Sequence, residues 1–286
     1  MTDGYSYYPG CSLHATGKEF HLSTEAVFAA LGAPLYELDG WNCCGASSAH
    51  AVSPALTLAL PTRNLALAQR AGRDVVMPCA ACFNRHKAAD RTLRADAEKR
   101  AQLERAVGFT YDGAVQVRAL LDVVVNDIGL ERVRARVTRP LEGLRVAAYY
   151  GCLLVRPPDV TAFDDPEHPV TMDRILEALG ADARPYAYAT ECCGGALSLT
   201  APKSAARMVD RLVSRAREAG AATMAVSCPL CQINLEMRQS GSQKLPIFYI
   251  TELMGLAFGL PDAEKWWKMH LIDPRPVLRA VEVSHA

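Results

Sequence analysis

Several features that define large classes of protein are absent from this sequence. No run of apolar residues approaches the roughly 20 that a membrane-spanning helix needs. Lys plus Arg total 31 and Asp plus Glu total 31, so no surplus of positive charge indicates a nucleic-acid surface. The first residues, MTDGYSYYPGC, lack the apolar core of a secretion signal. We therefore expect a cytoplasmic chain without a transmembrane segment, and cytoplasmic thiols stay reduced unless a metal or a catalytic cycle uses them.

Two common redox motifs are also missing. The sequence contains no glycine-rich fingerprint of the flavin or nicotinamide type, so electrons must come from partner proteins. The ferredoxin run of cysteines with gaps of two, two and three residues is absent as well. The chain is therefore not an ordinary ferredoxin module.

Cysteine is what the sequence has in unusual number and order. Its ten cysteines form two sets of five, and the words around them repeat: YYPGCSL matches YYGCLLV, and WNCCGAS matches ECCGGAL. The offset is 141 residues between Cys11 and Cys152 and 149 residues for each of the other four pairs. Such self-similarity indicates an internal duplication. The first set is Cys11, Cys43, Cys44, Cys79 and Cys82, and the second is Cys152, Cys192, Cys193, Cys228 and Cys231.

The duplication predicts two cysteine-rich domains, an N-terminal one over 1–140 and a C-terminal one with a tail over 141–286. Half of the residues are hydrophobic and 22% are charged, which is a globular composition. The Pro- and Asp-rich segment 156–169 explains the larger offset as an inserted loop, and 131–143 is the expected connection.

The fold class follows from the alternation of short β-rich runs with helical patterns. We predict an α/β fold of two similar halves, related by a pseudo-twofold axis, with mostly parallel sheets. Each cysteine group follows a predicted strand, at the carboxyl edge where open α/β sheets bind ligands. The predicted strands lie in YSYYPG, APLYEL, RDVVMP, LRVAAYY, DARPYAY and ATMAVS. The predicted helices cover 17–31, 54–71, 83–106, 170–180, 202–219 and 230–238.

Metal ligation explains these cysteines better than the alternatives. Disulfides would leave one cysteine over in each half, and adjacent cysteines cannot pair with each other without strain. Buried structural thiols would not form two matching sets. Zinc would use four thiolates and leave Cys11 and Cys152 without a role, whereas a cluster of several irons can use five. Gly45, Gly194 and Gly195 follow the vicinal pairs, where their amides are expected to approach the cofactor and bond its sulfide.

The order of a single cysteine, Cys-Cys-Gly and Cys-x-x-Cys resembles the repeated cysteine-rich CCG domain found in the B subunit of heterodisulfide reductase. The gaps are 31 and 34 residues in the first half and 39 and 34 in the second, and the resemblance spans roughly 5–260. The resemblance implies that each set of five cysteines ligates one noncubane [4Fe-4S] cluster. It also implies that the two clusters face each other and cleave a disulfide between them. Related proteins sometimes bind a different metal, such as zinc, in one half.

The resemblance also implies an oxidoreductase that acts on sulfur, together with its companions. The expected partners are a ferredoxin-like iron–sulfur protein and a flavoprotein, which correspond to the C and A subunits of heterodisulfide reductase. The Ala- and Arg-rich composition favours the heterodisulfide reductase-like complex of sulfur-oxidising bacteria, whose substrate is lipoate-bound sulfur, over the archaeal enzyme. The alternative is a non-catalytic electron-relay subunit of a lactate-, glycolate- or succinate-type dehydrogenase.

Other polar and aromatic residues carry weaker signals. His14 and His50 follow cysteines and could donate a proton to a leaving thiolate, although surface or packing roles are commoner for histidine. The helix face of 85–87, Arg-His-Lys, could receive an anionic substrate, but a solvated face is the expected role. Trp266 and Trp267 lie outside the repeat, and either anchor a partner or pack on the body.

Overall fold

The computed structural model describes residues 4–46 and 49–283 and contains two four-stranded sheets. The first sheet has the order β2-β1-β3-β4, and all of its strand pairs are parallel. Strands β1 and β3 are fully buried, as is usual for strands covered on both faces. The strands are β1 (Tyr5–Tyr7), β2 (Leu35–Glu37), β3 (Val75–Met77) and β4 (Val117–Ala119).

The second sheet repeats the topology of the first. Its order is β6-β5-β7-β8, again with parallel pairing throughout. The strands are β5 (Arg145–Tyr149), β6 (Asp182–Ala183), β7 (Thr223–Val226) and β8 (Ile247–Tyr249). The predicted α/β fold with internal duplication and parallel sheets is thus confirmed.

Helices connect the strands and cover the sheets. Those of the first half are α1 (Gly10–Leu13), α2 (Lys18–Ala30), α3 (Ala49–Val52), α4 (Pro54–Ala71), α5 (Ala80–Ala95), α6 (Ala97–Val107), α7 (Leu120–Asp122) and α8 (Leu130–Arg136), with a π-helix over Val123–Gly129. Those of the second half are α9 (Cys152–Val155), α10 (Pro158–Thr161), α11 (Thr171–Ala178), α12 (Pro202–Glu218), α13 (Pro229–Arg238), α14 (Ile250–Ala257), α15 (Ala263–Trp266) and α16 (Arg275–Val283). Within the described ranges, no helix combines the length and apolar character that crossing a bilayer requires.

Three local predictions are wrong. The helix expected over 83–106 begins earlier, at Ala80, and is interrupted at Asp96. The Asp96 carboxylate accepts a hydrogen bond from the Lys99 amide at 2.9 Å and so caps a second helix, a role in which Asp is favoured. The connection over 131–143 is helical as far as Arg136, and the inserted segment 156–169 contains the short helix α10. The α10 helix packs against α5 of the first half.

Each half packs a helix into the other half. Helix α2 of the first half lies against α14, and α11 of the second half lies against α7 and α8. Ser23 and Thr251 hydrogen-bond across the first of these contacts, with 2.6 Å between their hydroxyl oxygens. The Phe20 and Tyr249 rings stack beside them, with their centroids 4.2 Å apart. This exchange matches a pseudo-twofold relation and places both halves around one hydrophobic core.

The C-terminal segment packs back onto the body. Trp266 is 2% exposed and covers Gly255, where a Cβ would lie 2.5 Å from the indole. Of the two alternatives for Trp266, packing is therefore right and the partner anchor is wrong. His270 lies between Glu236 and Glu252, with nitrogen–oxygen distances of 3.0 Å to each carboxylate and all three side chains fully buried. Burial disfavours the imidazolium, but the carboxylates outweigh it and raise the pKa of His270 to about 10.

Candidate metal centres

The first five cysteines come together at the carboxyl edge of the first sheet. Cys11 lies in α1 directly after β1, and the vicinal pair Cys43–Cys44 lies in the loop after β2. Cys79 follows β3 as the N-cap of α5, whose first turn holds Cys82. Because parallel strands end at the same edge, residues distant in sequence converge here.

The sulfur atoms of this set lie in pairs. Cys11 Sγ is 3.6 Å from Cys43 Sγ, and Cys44 Sγ is 3.2 Å from Cys82 Sγ. Hydrogen bonds from the thiols of Cys43 and Cys82 lower the pKa of Cys44, which favours its thiolate. Cys44, Cys79 and Cys82 are buried, Cys43 is half-buried and Cys11 is exposed. The set therefore has an inner side in the core and an accessible outer side.

The second set repeats this placement. Cys152 is the first residue of α9 after β5, and Cys192–Cys193 lie in the loop after β6. Cys228 is the N-cap of α13, and Cys231 lies in its first turn, 3.6 Å from Cys193 between sulfurs. The Cys152 thiol hydrogen-bonds Cys192 and, together with the Gly194 amide, lowers the pKa of Cys192 to about 6. Thiolates, the form that binds metals, are thus favoured in both sets.

Glycines bring backbone close to the sulfurs. Gly45 and Gly194 have φ of 76° and 77°, which favours glycine. The Gly45 amide donates to Cys43 Sγ at 3.4 Å, and the Gly194 amide donates to Cys192 Sγ at 3.3 Å. A Cβ on Gly195 would lie 3.5 Å from Cys193 Sγ. These positions are compatible with the predicted role of the three glycines beside a cofactor, which stays a prediction.

Sequence reasoning missed two further glycines, Gly10 and Gly151, which precede the first cysteine of each set. Their φ angles are 72° and 67°. A Cβ would lie 3.1 Å from Cys82 Sγ at Gly10 and 3.4 Å from Cys231 Sγ at Gly151. The signal was present in the repeated words, because both contain Gly-Cys after two tyrosines.

Sequence reasoning also missed the buried tyrosines of the same repeated words. The Tyr8 hydroxyl donates to the Asn42 carbonyl at 2.8 Å, and the Tyr149 hydroxyl donates to the Glu191 carbonyl at 2.7 Å. Each carbonyl belongs to the residue just before a vicinal cysteine pair. Both tyrosines are 2% exposed or less, so in each half a rigid buried ring holds the cysteine loop against the end of the central strand.

The two cysteine sets meet at the interface between the halves. The Ala80 amide donates to the Ser227 carbonyl at 3.3 Å, and the Ser227 hydroxyl donates to the Pro78 carbonyl at 3.2 Å. The adjacent thiols of Cys79 and Cys228 hydrogen-bond each other. The two Cys-x-x-Cys turns are therefore in direct contact, and the two candidate centres are neighbours.

The helix that carries Cys82 corrects one prediction. His86 is completely buried, so the solvated face expected over 85–87 is wrong at this position. Its Nδ1 lies 2.7 Å from the Cys82 carbonyl and its Nε2 lies 3.1 Å from the Asn64 amide nitrogen. Burial lowers the pKa of His86, which keeps the ring neutral under the first cysteine set. The side chain of His50 lies outside the described part of the chain.

The donor chemistry of both sites fits an iron–sulfur cluster. Each set presents five sulfurs with backbone amides beside them, and soft thiolates are the ligands that such clusters take. The helices that begin at Ala80 and Pro229 direct their N-terminal amides toward Cys79 and Cys228. This orientation favours an anionic group at each site. A tetrahedral zinc ion would leave one thiol of each five unused.

Comparisons with known proteins agree with this chemistry. The family model for the cysteine-rich domain (CCG) matches residues 5–85 and 146–236. A relative from Wolinella succinogenes, the 8-methylmenaquinol:fumarate reductase membrane anchor subunit, is 33% identical over 96% of this chain and 98% of its own. The B subunit of the ferredoxin/F420H2-dependent CoB-CoM heterodisulfide reductase of Methanosarcina acetivorans is 28% identical over 90% of each chain. A protein of Archaeoglobus profundus described as like the heterodisulfide reductase B subunit is also 28% identical, over 91% and 92% of the two chains.

Among solved structures, a hypothetical protein from Helicobacter pylori shares the fold, with a TM-score of 0.71 and 12% identity. The match covers 94% of this chain but 52% of that protein, so it extends to the fold alone. The predicted resemblance is confirmed by the family match and by the heterodisulfide reductase relatives. The chain belongs to the CCG cysteine-rich domain family, with the domain present twice, and is an iron–sulfur redox subunit related to the B subunit of heterodisulfide reductase and to a fumarate reductase membrane anchor subunit.

Proposed function

We propose that the chain is the subunit of a heterodisulfide reductase-like complex that makes or cleaves a disulfide or sulfane-sulfur bond at two noncubane [4Fe-4S] clusters. One observation carries the proposal, namely the contact between the two cysteine sets at Cys79 and Cys228. Disulfide cleavage takes two electrons and two protons and yields two thiols, whereas iron–sulfur clusters pass electrons singly. Neighbouring centres supply that pair of electrons at one place.

The ten cysteines would hold the two clusters, five for each. Cys11, Cys43, Cys44, Cys79 and Cys82 would ligate the first, and Cys152, Cys192, Cys193, Cys228 and Cys231 would ligate the second. The amides of Gly45, Gly194 and Gly195 would lie beside the cluster sulfides. When bound, each cluster supplies one-electron redox chemistry and iron positions to which a substrate sulfur can bind. Zinc in one of the two sites is the minor alternative.

The protein's own groups would prepare these sites. The tyrosine hydroxyls on the Asn42 and Glu191 carbonyls hold the vicinal pairs in place, so the thiolates need little rearrangement to bind. Cys11 and Cys43 are at least partly exposed, as are Cys152 and Cys192, and leave a side open to substrate. A disulfide or lipoate-bound sulfur would approach there. A flavoprotein and a ferredoxin-like protein would supply electrons, and the cytoplasm would keep the thiols reduced.

Metal analysis and turnover test this proposal together. Anaerobic purification followed by iron, sulfide and zinc determination should give about four irons per half. Cys44→Ser and Cys193→Ser should each lose one cluster and the turnover of candidate disulfides with reduced viologen. Ser214→Ala, at an exposed position of α12, serves as a control that should keep both. Full zinc occupancy without iron, or unchanged disulfide cleavage after cluster loss, would contradict the proposal.

A second candidate is an electron-relay subunit of a succinate- or fumarate-type complex. The Wolinella succinogenes relative favours it, because its 33% identity extends over nearly the whole of both chains. Here the same clusters would pass electrons between partners without binding a sulfur substrate. The assembled complex separates the two functions. A relay should support fumarate reduction by a quinol and show no turnover of any disulfide, whereas the first proposal requires the reverse.

A further inference from the structure

Outside the cysteine sets, three potential metal ligands come together on the first half. They are His14, His21 and Glu37, and each offers one ligand atom within 4.8 Å of the other two. His14 ends the short helix that holds Cys11, His21 lies on α2, and Glu37 is the last residue of β2. The closest pair is His14 Nε2 and Glu37 Oε1, at 3.2 Å. Three separate elements thus direct imidazole and carboxylate groups to one point.

Neighbouring side chains orient two of the three ligands. The Tyr7 hydroxyl lies 3.2 Å from His21 Nδ1, which leaves Nε2 of this ring on the side away from the core. Trp41 Nε1 donates to Glu37 Oε1 at 2.8 Å and fixes the carboxylate while leaving it further lone pairs. Second-layer hydrogen bonds of this kind hold imidazole and carboxylate ligands in metal sites.

The arrangement belongs to the first half alone. The position that matches His14 in the second half is Val155, which is fully buried. The repeated cysteine chemistry therefore does not need these residues. Their side chains are partly open to solvent, with His14 43%, Glu37 35% and His21 20% exposed, so an ion can enter and keep water ligands.

We propose that His14, His21 and Glu37 form a mononuclear site for a divalent transition-metal ion of the zinc or ferrous class, separate from the cysteine centres. Two imidazoles and one carboxylate are a common ligand set for such ions and leave at least one open coordination position. Donor atoms around a tetrahedral ion at about 2.0–2.1 Å lie roughly 3.3 Å apart, close to the separation of the nearest pair here. The exposed His14 has room to complete the approach.

The charge around the site suits a cation. Glu25 Oε2 lies 3.4 Å from His21 Nε2 and adds a second carboxylate beside the ligands. Without an ion, both histidines hydrogen-bond these carboxylates, so binding exchanges those contacts for metal bonds. An ion here would place positive charge beside Cys11, three residues before His14, and would differ from the cysteine sites in ligand softness.

Zinc binding to the full-length protein, purified anaerobically with its clusters, tests the site. After equilibrium dialysis against one equivalent of Zn²⁺, we expect one zinc per chain, with nitrogen and oxygen but no sulfur neighbours in zinc-edge X-ray absorption. His21→Gln and Glu37→Gln should each weaken binding at least tenfold without changing the iron content. His168→Gln, at an exposed histidine on the surface loop, is the matched control and should bind as the wild type does.

Tyr7→Phe tests the second layer without removing a ligand, and we expect about tenfold weaker zinc binding. Because Tyr7 is fully buried, circular dichroism should first show that this variant is folded. Sulfur neighbours around zinc, no zinc retained by folded wild type, or equal binding by Glu37→Gln would each overturn the site. The test does not depend on the cluster proposal, because a chain without iron would bind further zinc through sulfur and leave the nitrogen–oxygen signal intact.

Discussion

Gly10 allows a steric test of the first cysteine site. In Gly10→Ala the new residue must keep φ near 72°, which costs an L-residue about 1–2 kcal/mol. In addition, its Cβ would lie 3.1 Å from Cys82 Sγ and 3.2 Å from the Tyr8 ring. The ring is fixed by its hydrogen bond to the Asn42 carbonyl, so the sulfur must move. We expect loss of the free energy of unfolding together with loss of the first cluster.

Two matched variants separate the steric effect from the backbone effect. Gly108→Ala has the same φ, 71°, but no atom within 4 Å of the new Cβ, so it should cost similar stability and keep all the iron. Gly151→Ala places its Cβ 3.4 Å from Cys231 Sγ, an ordinary contact, and should lose little iron. Denaturant unfolding and iron content of anaerobically purified protein are the measurements. Equal iron in Gly10→Ala and Gly108→Ala would refute the reasoning.

Three more predictions concern buried polar groups. Tyr149→Phe removes the hydrogen bond to the Glu191 carbonyl and should cost about 1 kcal/mol of unfolding free energy, with no change at a surface tyrosine control. His270→Gln leaves two buried carboxylates without their cation and should cost about 3–5 kcal/mol near neutral pH. Because folding raises the pKa of His270 to about 10, its contribution is complete below pH 6.5 and is lost as pH rises through 10, so the variant should show a flatter alkaline stability profile. Burial raises the pKa of Glu19 to about 7, so ionisation above that pH opposes folding, and Glu19→Gln should be more stable than wild type at pH 8 but not at pH 5.

The sequence predicted the elements with strong local signals. Pro54 marked the start of α4, and the periodic pattern of α12 was found to within a residue. The strands β4 and β8 were missed because each has only three residues and runs directly into a helix. Both lie at the edge of their sheet, beyond the strands that the cysteines follow, so their omission did not affect the placement of the site.

Features that depend on contacts between distant segments could not be predicted. His86 is polar and follows charged residues, yet the fold buries it between the Cys82 carbonyl and Asn64. The approach of His14 to Glu37 joins a helix end to a strand end, which no spacing in the sequence encodes. The periodicity of cysteine predicted which thiols gather in each half, whereas the contact between the two halves required coordinates.

The direct bond between the Cys-x-x-Cys turns has a consequence for biogenesis. Because the Ala80 amide uses the Ser227 carbonyl, the floor of the first centre is completed by a residue synthesised 147 positions later. A ribosome that has released only the N-terminal half presents an unfinished pocket, so we expect cofactor insertion to await the end of translation. Fragments expressed separately should consequently acquire little iron until they are mixed and reassociate.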